Sequence, residues 1–533
     1  MKTFGCATVL LFCGAFSAHA ANVYTGCAVP PTTFKHVWYF DPVHGKTEAG
    51  GGNGSQAAPW NNIAALLKVQ TGYTYPLLTS APYRQVPVPG QPAVIKTGPL
   101  AGPVAPGDEI LLMSGNYGDV SIGGFSPSTF NSDFVTVSAA PGQTPVLRSL
   151  FIGETNKWVF NGLKVQSLQS AVLAGDALVQ IKDGGSALPT SDIVLENMTI
   201  SSQDNTASWS KAQWVANARN GFSALSTPPG TNTNCISLVG SHISNVKFGA
   251  SLDASRLVFS NNQIDHFGDD GIGFAASYLT ITKNDIHDNL DIGDGNHEDA
   301  MQGNIGVLAP GAAVNYFQNI LIDGNLIIRQ SDPQLAYPAY LQGIDDFDSD
   351  WTNVTVTNNV VITSACWGIS FASIHNGLIA NNTVVSDGLI GTKGCAGANI
   401  SVTGTTHEGA PSSNTVVRNN LTSQIELYNV NNGVEADHNV VMLGISPEII
   451  WYANGVPQYI GQPGTYANGN IIDAGGPKSE FSNFNPATLT YNVLLKSTGQ
   501  AIGAGTATGA PSFDILGVAR KAPYAVGAYA YPM

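Results

Sequence analysis

The amino-acid sequence predicts an all-β fold in which short strands stack as the coils of a solenoid. Glycine is abundant, with 59 residues in 533, Asn-rich turns recur along the chain, and long helical periodicity is almost absent. Such a composition is typical of many short strands joined by tight turns. A pattern that returns at a nearly constant interval then favours one elongated solenoid over several separate domains.

The repeating unit is a short β-branched run that is followed by Asn, or a substitute, and another apolar pair. The spacing is 22 residues from Asn262 to Asn284 and 23 from Asn359 to Asn382. Asn tolerates left-handed backbone geometry and so suits the turn, and stacked Asn side chains can form a ladder along the axis. The pattern occurs in IVLENMTI (193–200), ISLVGSHI (236–243), LVFSNNQI (257–264), LTITKNDI (279–286), ILIDGNLI (320–327), VTVTNNVV (354–361), GLIANNTV (377–384) and TVVRNNLT (415–422).

The first twenty residues have the features of a secretory signal peptide. Lys2 precedes an apolar run, and an Ala-His-Ala cleavage pattern follows at 18–20. No later stretch approaches the roughly 20 apolar residues of a membrane span. We therefore expect a secreted or periplasmic product without a membrane span.

The mature chain is expected to be strongly acidic. Loss of Lys2 from the 22 basic residues leaves 21 against 37 acidic ones, a net charge of −16. This charge argues against nucleic acid as a partner, but a local basic groove or a bound cation would still admit an anionic polysaccharide. The remaining cysteines allow up to two disulfides in three connectivities and match no zinc motif; they are Cys27, Cys235, Cys366 and Cys395.

The repeats and the segments around them resemble secreted right-handed parallel β-helix proteins of the pectate-lyase-like kind. YFDPVHGKTEAGGGNGSQAAPWNNIAALL (39–67) resembles their entry segment, whose last nine residues usually form a short helix that caps the open core. PGDEILLMSGNYGDV (106–120) resembles the first coil, and LLKSTGQAIGAG (494–505), DILGVAR (514–520) and VGAYAY (526–531) resemble the closing segment. The resemblance implies a single-stranded parallel β-helix with an N-terminal capping helix, but the fold does not name the chemistry.

This resemblance divides the chain into four parts. They are a signal peptide (1–20), an entry and cap segment (21–105), a parallel β-helix with inserted loops (106–445), and C-terminal coils with a closing segment (446–533).

Alignment of the strands before the Asn turns brings polar residues of different coils together. Because neighbouring coils lie about 4.8 Å apart, residues at matching positions become lateral neighbours. The aligned segments, set in register by Ile272, Met301, Ile344 and Ile369, are RNGFSAL (219–225), KFGASL (247–252), DDGIGF (269–274), EDAMQG (298–303), LQGIDDF (341–347) and CWGISF (366–371). One column then contains Asn220, Phe248, Asp270, Asp299, Gln342 and Trp367, and a second contains Ser251, Gly273, Gln302, Asp345 and Ser370.

Alternation along the strands predicts which of these residues face the same way. We expect Asp270, Asp299 and Gln342 to share one face with His297 and Tyr340. The residues expected to face differently, or to lie at the bend, are Asp269, Glu298, Gln302 and Asp345. Stacked like charges are unfavourable unless protons, cations or a substrate compensate them, so this concentration of acids predicts a functional groove.

The leading functional prediction is a polysaccharide lyase that cleaves a uronic-acid-containing chain by β-elimination. This reaction needs a group that neutralises the carboxylate, a base for the C5 proton and an acid for the leaving oxygen. Lys247 or His297 is the candidate base, Arg219 would bind a substrate carboxylate in bidentate fashion, and Asp270 and Asp299 complete the catalytic set. This arrangement resembles the division of labour in pectate lyases.

The acidic residues also predict a calcium site, because Ca²⁺ prefers oxygen ligands. The predicted ligands are Asp269, Asp270, Glu298 and Asp299. Two motifs of related lyases and epimerases are absent: the Lys and Arg spacing of chondroitinase B and its alginate-lyase relatives, and the DPH-type motif of mannuronan epimerases.

The same residues leave other functions open. A glycoside hydrolase or transglycosidase needs two carboxylates about 5 to 9.5 Å apart, and Asp270 and Asp299 on adjacent coils would lie near the short limit. The late Arg-Ile-Lys motif of polygalacturonases is missing. A C5-epimerase shares the elimination half-reaction with a lyase, and a non-catalytic glycan-binding solenoid would need aromatic and amide groups without the acidic cluster.

Substrate binding is assigned to polar and aromatic side chains of the same coils. The predicted residues are Gln302, Tyr340, Gln342, Asp345 and Trp367. Aromatic residues of the inserted loops are expected either to stack on sugar rings or to pin the loops to the helix; they are Trp209, Trp214, Tyr337, Phe347 and Trp351. The loops at 201–235, 287–297 and 326–353 are expected to set specificity.

Overall fold

A computed structural model describes most of the chain. The described residues are 22–81, 83–84, 95–96, 102–125, 127, 129–167, 176–183, 188–226, 232–303, 316–388, 397–404, 410–428, 433–442, 449–453, 456–460, 463–473 and 475–531. The predicted signal peptide, with its cleavage pattern, therefore lies outside the described residues.

The described residues form short strands almost throughout. In the first half these are β1 (Val37–Phe40), β2 (Tyr83–Arg84), β3 (Ile95–Lys96), β4 (Glu109–Leu112), β5 (Gly115–Gly123), β6 (Val135–Ala139), β7 (Pro145–Gly153), β8 (Asn156–Asn161), β9 (Lys164–Gln166), β10 (Ala177–Lys182), β11 (Thr190–Glu196), β12 (Thr199–Ser201), β13 (Asn220–Leu225), β14 (Thr233–Val239), β15 (His242–Val246), β16 (Ala250–Leu252), β17 (Ser255–Ser260), β18 (Gln263–Phe267), β19 (Ile272–Phe274), β20 (Leu279–Thr282) and β21 (Asp285–His287). In the second half they are β22 (Asp299–Gly303), β23 (Tyr316–Asp323), β24 (Leu326–Ile328), β25 (Gln342–Asp346), β26 (Asp350–Thr357), β27 (Val360–Thr363), β28 (Trp367–Ala372), β29 (Ile374–His375), β30 (Leu378–Ala380), β31 (Thr383–Ser386), β32 (Asn399–Thr403), β33 (Val416–Arg418), β34 (Leu421–Thr422), β35 (Gln424–Tyr428), β36 (Glu435–Asp437), β37 (Val440–Met442), β38 (Ile449–Ala453), β39 (Val456–Ile460), β40 (Gly464–Thr465), β41 (Ile471–Asp473), β42 (Phe481–Asn485) and β43 (Thr490–Leu495).

Helices are few and short. The two α-helices of the described residues are α1 (Lys211–Asn217) and α2 (Pro477–Glu480), and short 3-10 helices span Glu48–Gly50, Ile63–Leu66 and Pro486–Thr488. In the part of the chain that the structure describes, no helix is long and apolar enough to cross a membrane.

Most strands pair in parallel in three columns, which makes the fold a parallel β-helix as predicted. Column A contains β1, β4, β6, β8, β11, β14, β17, β20, β23, β26, β30, β33 and β36. Column B contains β9, β12, β15, β18, β21, β24, β27, β31, β34, β37 and β41, and column C contains β5, β7, β10, β13, β16, β19, β22, β25, β28, β32, β35 and β38. The chain passes from column A through the Asn turn to column B and then to column C. The first strand, β1, pairs in parallel with β4, so the entry segment contributes a strand to column A.

The Asn positions form the predicted ladder between columns A and B. Asn325 is representative: its Nδ2 donates to Asn359 Oδ1 at 2.9 Å and to the Ile281 carbonyl at 3.0 Å, and its N–H donates to the same Oδ1 at 3.0 Å. The left-handed residue is the one before the ladder residue, as at Asn358 with φ 55°. The ladder members, all buried, are Asn262, Asn284, Asn325, Asn359, Asn382, Asn420, Asn439 and Asn470.

Segments before and after the coils cover parts of the solenoid. Asn62 caps the 3-10 helix Ile63–Leu66, whose apolar side chains pack into the continuous core, so the predicted capping helix is present as a 3-10 turn. In the closing segment, Phe481, Val493 and Val526 pack along the outer face of column B. Burial of these apolar side chains stabilises the coils they cover.

One disulfide ties the N-terminal segment to the coils. It joins Cys27 to Cys235, which are 208 residues apart in sequence. Cys366 is also disulfide-bonded. Cys395 lies outside the described residues.

Candidate active site

The acidic residues lie along column C in the register that the sequence predicts. Met301 pairs with Ile272 on one side and with Ile344 on the other, and Ile344 pairs with Ile369. Asp299 therefore lies beside Gln342 on the next coil. The loop 288–298 leads directly into β22 and brings His297 to the same place.

A column of small residues bends the strands just after the acidic positions. Its members are Gly221, Gly249, Gly271, Ala300, Gly343 and Gly368. A Cβ at Gly249 would lie 2.2 Å from the Gly271 carbonyl oxygen, and one at Gly343 would lie 2.0 Å from that of Gly368. Adjacent coils thus approach too closely at Gly249 and Gly343 for any side chain, so these two positions select glycine.

This bend changes which side chains share the cleft. Ala300 and Met301 are consecutive, yet both are completely buried in the core. Strict alternation is therefore broken, and Asp299 and Gln302 both lie outside the core, where the Gln302 Nε2 donates to Asp299 Oδ2 at 3.0 Å. The expectation left two placements open for Gln302 and Asp345, a different face or a position at the bend, and the contact of Gln302 with Asp299 agrees with the second.

Asp299 is the centre of the site. Its side chain is fully buried, and its Oδ2 lies 2.7 Å from His297 Nδ1. Its backbone N–H donates to Asp270 Oδ1 on the preceding coil at 3.1 Å. The Oδ2 atom of Asp299 is therefore contacted by the His297 imidazole and the Gln302 amide. Its Oδ1 atom receives no hydrogen bond from an N–H or O–H of the described residues.

Two further carboxyl groups lie against Asp299. Burial, together with the charge of Asp299, raises the pKa of Asp270 and of Asp345 well above the usual range. Asp345 is only 1% exposed, and neither of its oxygens accepts a hydrogen bond from the described N–H and O–H donors. The side chain of Asp299 on the preceding coil also contributes to the raised pKa of Asp345.

His297 is the exposed member of the cluster. Its side chain is 63% exposed, and its Nδ1 is the atom that contacts Asp299, with Gln342 Nε2 at 3.4 Å. Among the described residues, its Nε2 has no hydrogen-bond partner. The hydrogen bond to Asp299 raises the pKa of His297 to about 9.

A second charged group surrounds Lys247 on the neighbouring coils. Lys247 Nζ lies 2.9 Å from Asp294 Oδ2 and 3.7 Å from Asp269 Oδ2, and these contacts raise the pKa of Lys247 despite partial burial. Asp269 also accepts a hydrogen bond from Asn296 Nδ2. Burial raises the pKa of Asp269, and it raises the pKa of Glu298 to about 7. Sequence reasoning assigned no role to Asp294 or Asn296, because the loop geometry that returns them to Lys247 has no local signal.

The four predicted calcium ligands do not come together around one point. Asp270 and Asp299 belong to the His297 cluster, whereas Asp269 is paired with Lys247 and Asn296. Among the described residues, the one set of three His, Cys, Asp or Glu ligand atoms within 4.8 Å of one another belongs to Cys27, Asp192 and Cys235, and two of these form a disulfide. Several oxygens would have to surround a calcium ion at about 2.3–2.6 Å, whereas the four predicted ligands are divided between two clusters. The calcium site stays a prediction.

The other predicted residues lie along the same surface. The Arg219 carbonyl accepts a hydrogen bond from Lys247 N–H at 2.8 Å, so Arg219 is on the coil before Lys247. Tyr340 Oη lies 3.8 Å from Cys366 Sγ. Trp367 is 43% exposed, and its ring packs edge-on against Phe347 at a centroid distance of 5.5 Å.

The loop tryptophans do not line the cleft. Trp209 and Trp214 are buried in a small cluster with Leu290, Ile292 and Leu335, which joins three inserted loops. Trp351 is completely buried in the main core beside Phe317. For Trp209 and Trp214, the structure therefore supports the expected role of pinning loops to the helix. Their contacts with Leu290 and Ile292 hold the loop that precedes His297.

Comparison with known proteins finds similar solved structures at low sequence identity. No family model and no curated protein matches the chain. Among solved structures, the chain is similar to the pectate lyase Pel9A (13% identity, 96% of this chain and 100% of that chain, TM-score 0.42). It is also similar to the A-module of the Azotobacter vinelandii mannuronan C-5 epimerase AlgE6 (15% identity, 62% and 84%, TM-score 0.39) and to XylC in complex with xylose (10% identity, 79% and 76%, TM-score 0.39). These similarities carry no information about the reaction.

Proposed function

We propose that the protein is a polysaccharide lyase that cleaves a uronic-acid-containing glycan by β-elimination, with His297 as the base. The observation that carries this proposal is the contrast in exposure within the cluster. His297 reaches the surface, whereas Asp270, Asp299 and Asp345 are all buried. A substrate in the cleft would therefore meet the imidazole and not the carboxyl groups.

In this proposal the buried carboxylate tunes the imidazole. Asp299 accepts the hydrogen bond at Nδ1, which orients the ring and leaves Nε2 for the substrate. Neutral His297 removes the C5 proton to Nε2, the C4–O bond breaks as the C4–C5 double bond forms, and the leaving oxygen takes a proton from water. The raised pKa makes the imidazole a strong base once it is deprotonated.

Lys247 is less suited to be the base than the sequence suggests. Its ammonium group is paired with Asp294 and Asp269, and these pairs stabilise the charged form. In the proposed reaction, Arg219 supplies positive charge along the cleft, which favours an anionic substrate. No step of the proposed mechanism passes through a metal ion.

One observation favours a second candidate, a glycoside hydrolase. Asp270 and Asp345 have raised pKa values beside Asp299, which accepts two hydrogen bonds, and such a split is what an acid and base pair requires. Their burial counts against this candidate, because a glycosidic oxygen would have to reach groups that are almost inaccessible.

The test is incubation with a panel of uronate polysaccharides, following both the ultraviolet absorbance of an unsaturated uronate and the formation of reducing ends. We expect absorbance to rise with the wild type and not with His297→Ala. The rate should increase with pH up to about 9 and then level off, because His297 must lose its proton to act as a base. Parallel reactions with added Ca²⁺ and with chelator test the calcium prediction.

Each alternative has its own result. New reducing ends without absorbance would replace the lyase with the hydrolase. A rate that falls as pH rises towards 9 would make the imidazolium an acid and overturn its role as the base. No product from any uronate polymer would refute both enzymes for this substrate class.

A further inference from the structure

The cleft differs in chemistry on the two sides of the coil that carries His297. We define the cleft as the outward surface of column C from the coil of Arg219 to the coil of Trp367. Backbone hydrogen bonds place these coils in order, with Lys247 N–H donating to the Arg219 carbonyl and Gln342 N–H donating to the Glu298 carbonyl, each at 2.8 Å. Arg219 is three coils before Glu298, roughly 14 Å at about 4.8 Å per coil. Trp367 is two coils after it, roughly 10 Å.

Arg219 supplies an available cation at one end. Among the described residues, its guanidinium takes part in no ion pair or side-chain hydrogen bond, and its recorded contacts are those of its backbone with Ser202 and Lys247. Lys247, one coil closer to His297, is occupied by Asp294 and Asp269. A guanidinium matches a carboxylate in planar, bidentate geometry, so Arg219 suits the carboxylate of a distant sugar unit.

Trp367 supplies an apolar platform at the other end. It follows Asp299 and Gln342 in the same column, and it is 43% exposed although its neighbours in the strand are buried. Phe347 supports one side of the indole through an edge contact. A rigid aromatic ring held in this way offers a large contact area to the C–H face of a sugar without requiring a charge on that sugar.

We propose that the cleft is asymmetric and binds its glycan with a uronate carboxylate at Arg219 and a sugar ring, charged or neutral, stacked on Trp367; we call this arrangement the directional cleft. This inference rests on the proposed function for the presence of a glycan in the cleft. It narrows the substrate class to chains that carry a carboxylate some units away from the cleaved bond on the Arg219 side and that tolerate neutral units on the other side.

The contributions of Arg219 and Trp367 to binding can be distinguished with polymers in native and carboxyl-reduced forms. Retardation in gels containing polygalacturonate or alginate, each in native and carboxyl-reduced form, is measured in the His297→Ala background so that the polymer is not degraded. We expect Arg219→Gln to weaken binding of the native polymers about tenfold and to leave binding of the reduced polymers unchanged. Trp367→Ala should weaken binding of both forms by a similar factor, about five- to tenfold.

Matched controls come from the opposite side of the solenoid. Arg256 and Tyr316 are exposed on strands of column A, so Arg256→Gln and Tyr316→Ala should bind as the parent does. Arg219→Lys and Trp367→Phe repeat the test with less disturbance of folding, and thermal melts verify that all variants are folded. Lysine keeps the positive charge but cannot bind a carboxylate in bidentate fashion, so Arg219→Lys should bind the native polymers with intermediate affinity.

Several outcomes would overturn the directional cleft. They are an equal loss on native and reduced polymers for Arg219→Gln, a loss confined to native polymers for Trp367→Ala, parental binding by both variants, and no retardation of the parent by either native polymer. The result also separates this inference from the proposed function. Cleavage that depends on neither residue keeps the lyase and refutes the directional cleft, whereas the expected binding without any product refutes the lyase and keeps the cleft.

Discussion

Two stacks of polar side chains follow the solenoid axis, and they differ in how their hydrogen-bonding groups are satisfied. In the Asn ladder, each buried amide donates to the next amide and to a backbone carbonyl, as Asn325 does with Asn359 and Ile281. In the cleft, Asp299 Oδ1 and both oxygens of Asp345 are buried without an N–H or O–H donor from the described residues. One stack is neutral and satisfied, and the other is ionisable and incompletely satisfied.

The difference teaches how a repeat can serve both stability and chemistry. A satisfied buried network specifies one register and adds to stability, because each group would otherwise lose its hydrogen bond to water. An unsatisfied carboxyl cluster costs free energy, and such costs are concentrated at functional sites. The same stacking that makes the ladder cooperative places Asp270 and Asp345 on the coils next to Asp299, where the charge of Asp299 acts on both.

The largest expected effect is on catalysis in the cleft stack. Replacement His297→Ala should lower kcat/KM by about 100- to 10,000-fold, because a positioned base contributes rate enhancements of that order. The thermal midpoint should change little, since the side chain is largely exposed. The control is His44→Ala, which removes an exposed imidazole from the entry segment and should retain the activity of the wild type.

The second effect is on the stability of the ladder. Replacement Asn359→Ala should lower the free energy of unfolding by about 1–3 kcal/mol, because the Asn325 amide and the Ile322 carbonyl lose their buried partners. Urea denaturation measures this change. The exposed Asn483 on β42 is the matched control, and Asn483→Ala should alter stability by less than about 0.5 kcal/mol. Equal effects of the two replacements would show that the ladder contributes no special stability.

The third effect concerns the pH dependence of stability, and it distinguishes the carboxyl stack from the amide stack. The pKa of Asp345 is raised by folding, so its contribution to stability is fully present below the unfolded pKa near 4 and is lost as pH rises towards the folded pKa. Asp345→Asn should therefore remove a slope of up to about 1.4 kcal/mol per pH unit in that range.

Urea denaturation between acidic and neutral pH measures this slope. The exposed carboxyl of Asp176 provides the control, and Asp176→Asn should leave the slope unchanged. A wild-type stability that does not decline relative to Asp345→Asn as pH rises would contradict the raised pKa of Asp345.

Much of the architecture was predictable because it depends on local repetition. The recurring Asn marks one turn per coil, and the central apolar residues Ile272, Met301, Ile344 and Ile369 set the lateral register that the structure has. The polar columns followed from that register. The register left the facing of Gln302 and Asp345 open between a different face and the bend, and the column of small residues marks the bend.

The sequence by itself determined the parallel solenoid, its Asn ladder and the column in which the acidic residues meet, because each is a property of one repeat laid on the next. Only the tertiary structure decided which of those acids are buried and paired. The packing of three inserted loops around Trp209 and Trp214, the return of Asp294 to Lys247, and the close approach of coils at Gly343 all depend on contacts between distant segments. Those contacts leave His297 exposed above Asp299, because burial and hydrogen bonding of the carboxyl groups are set by the completed stack.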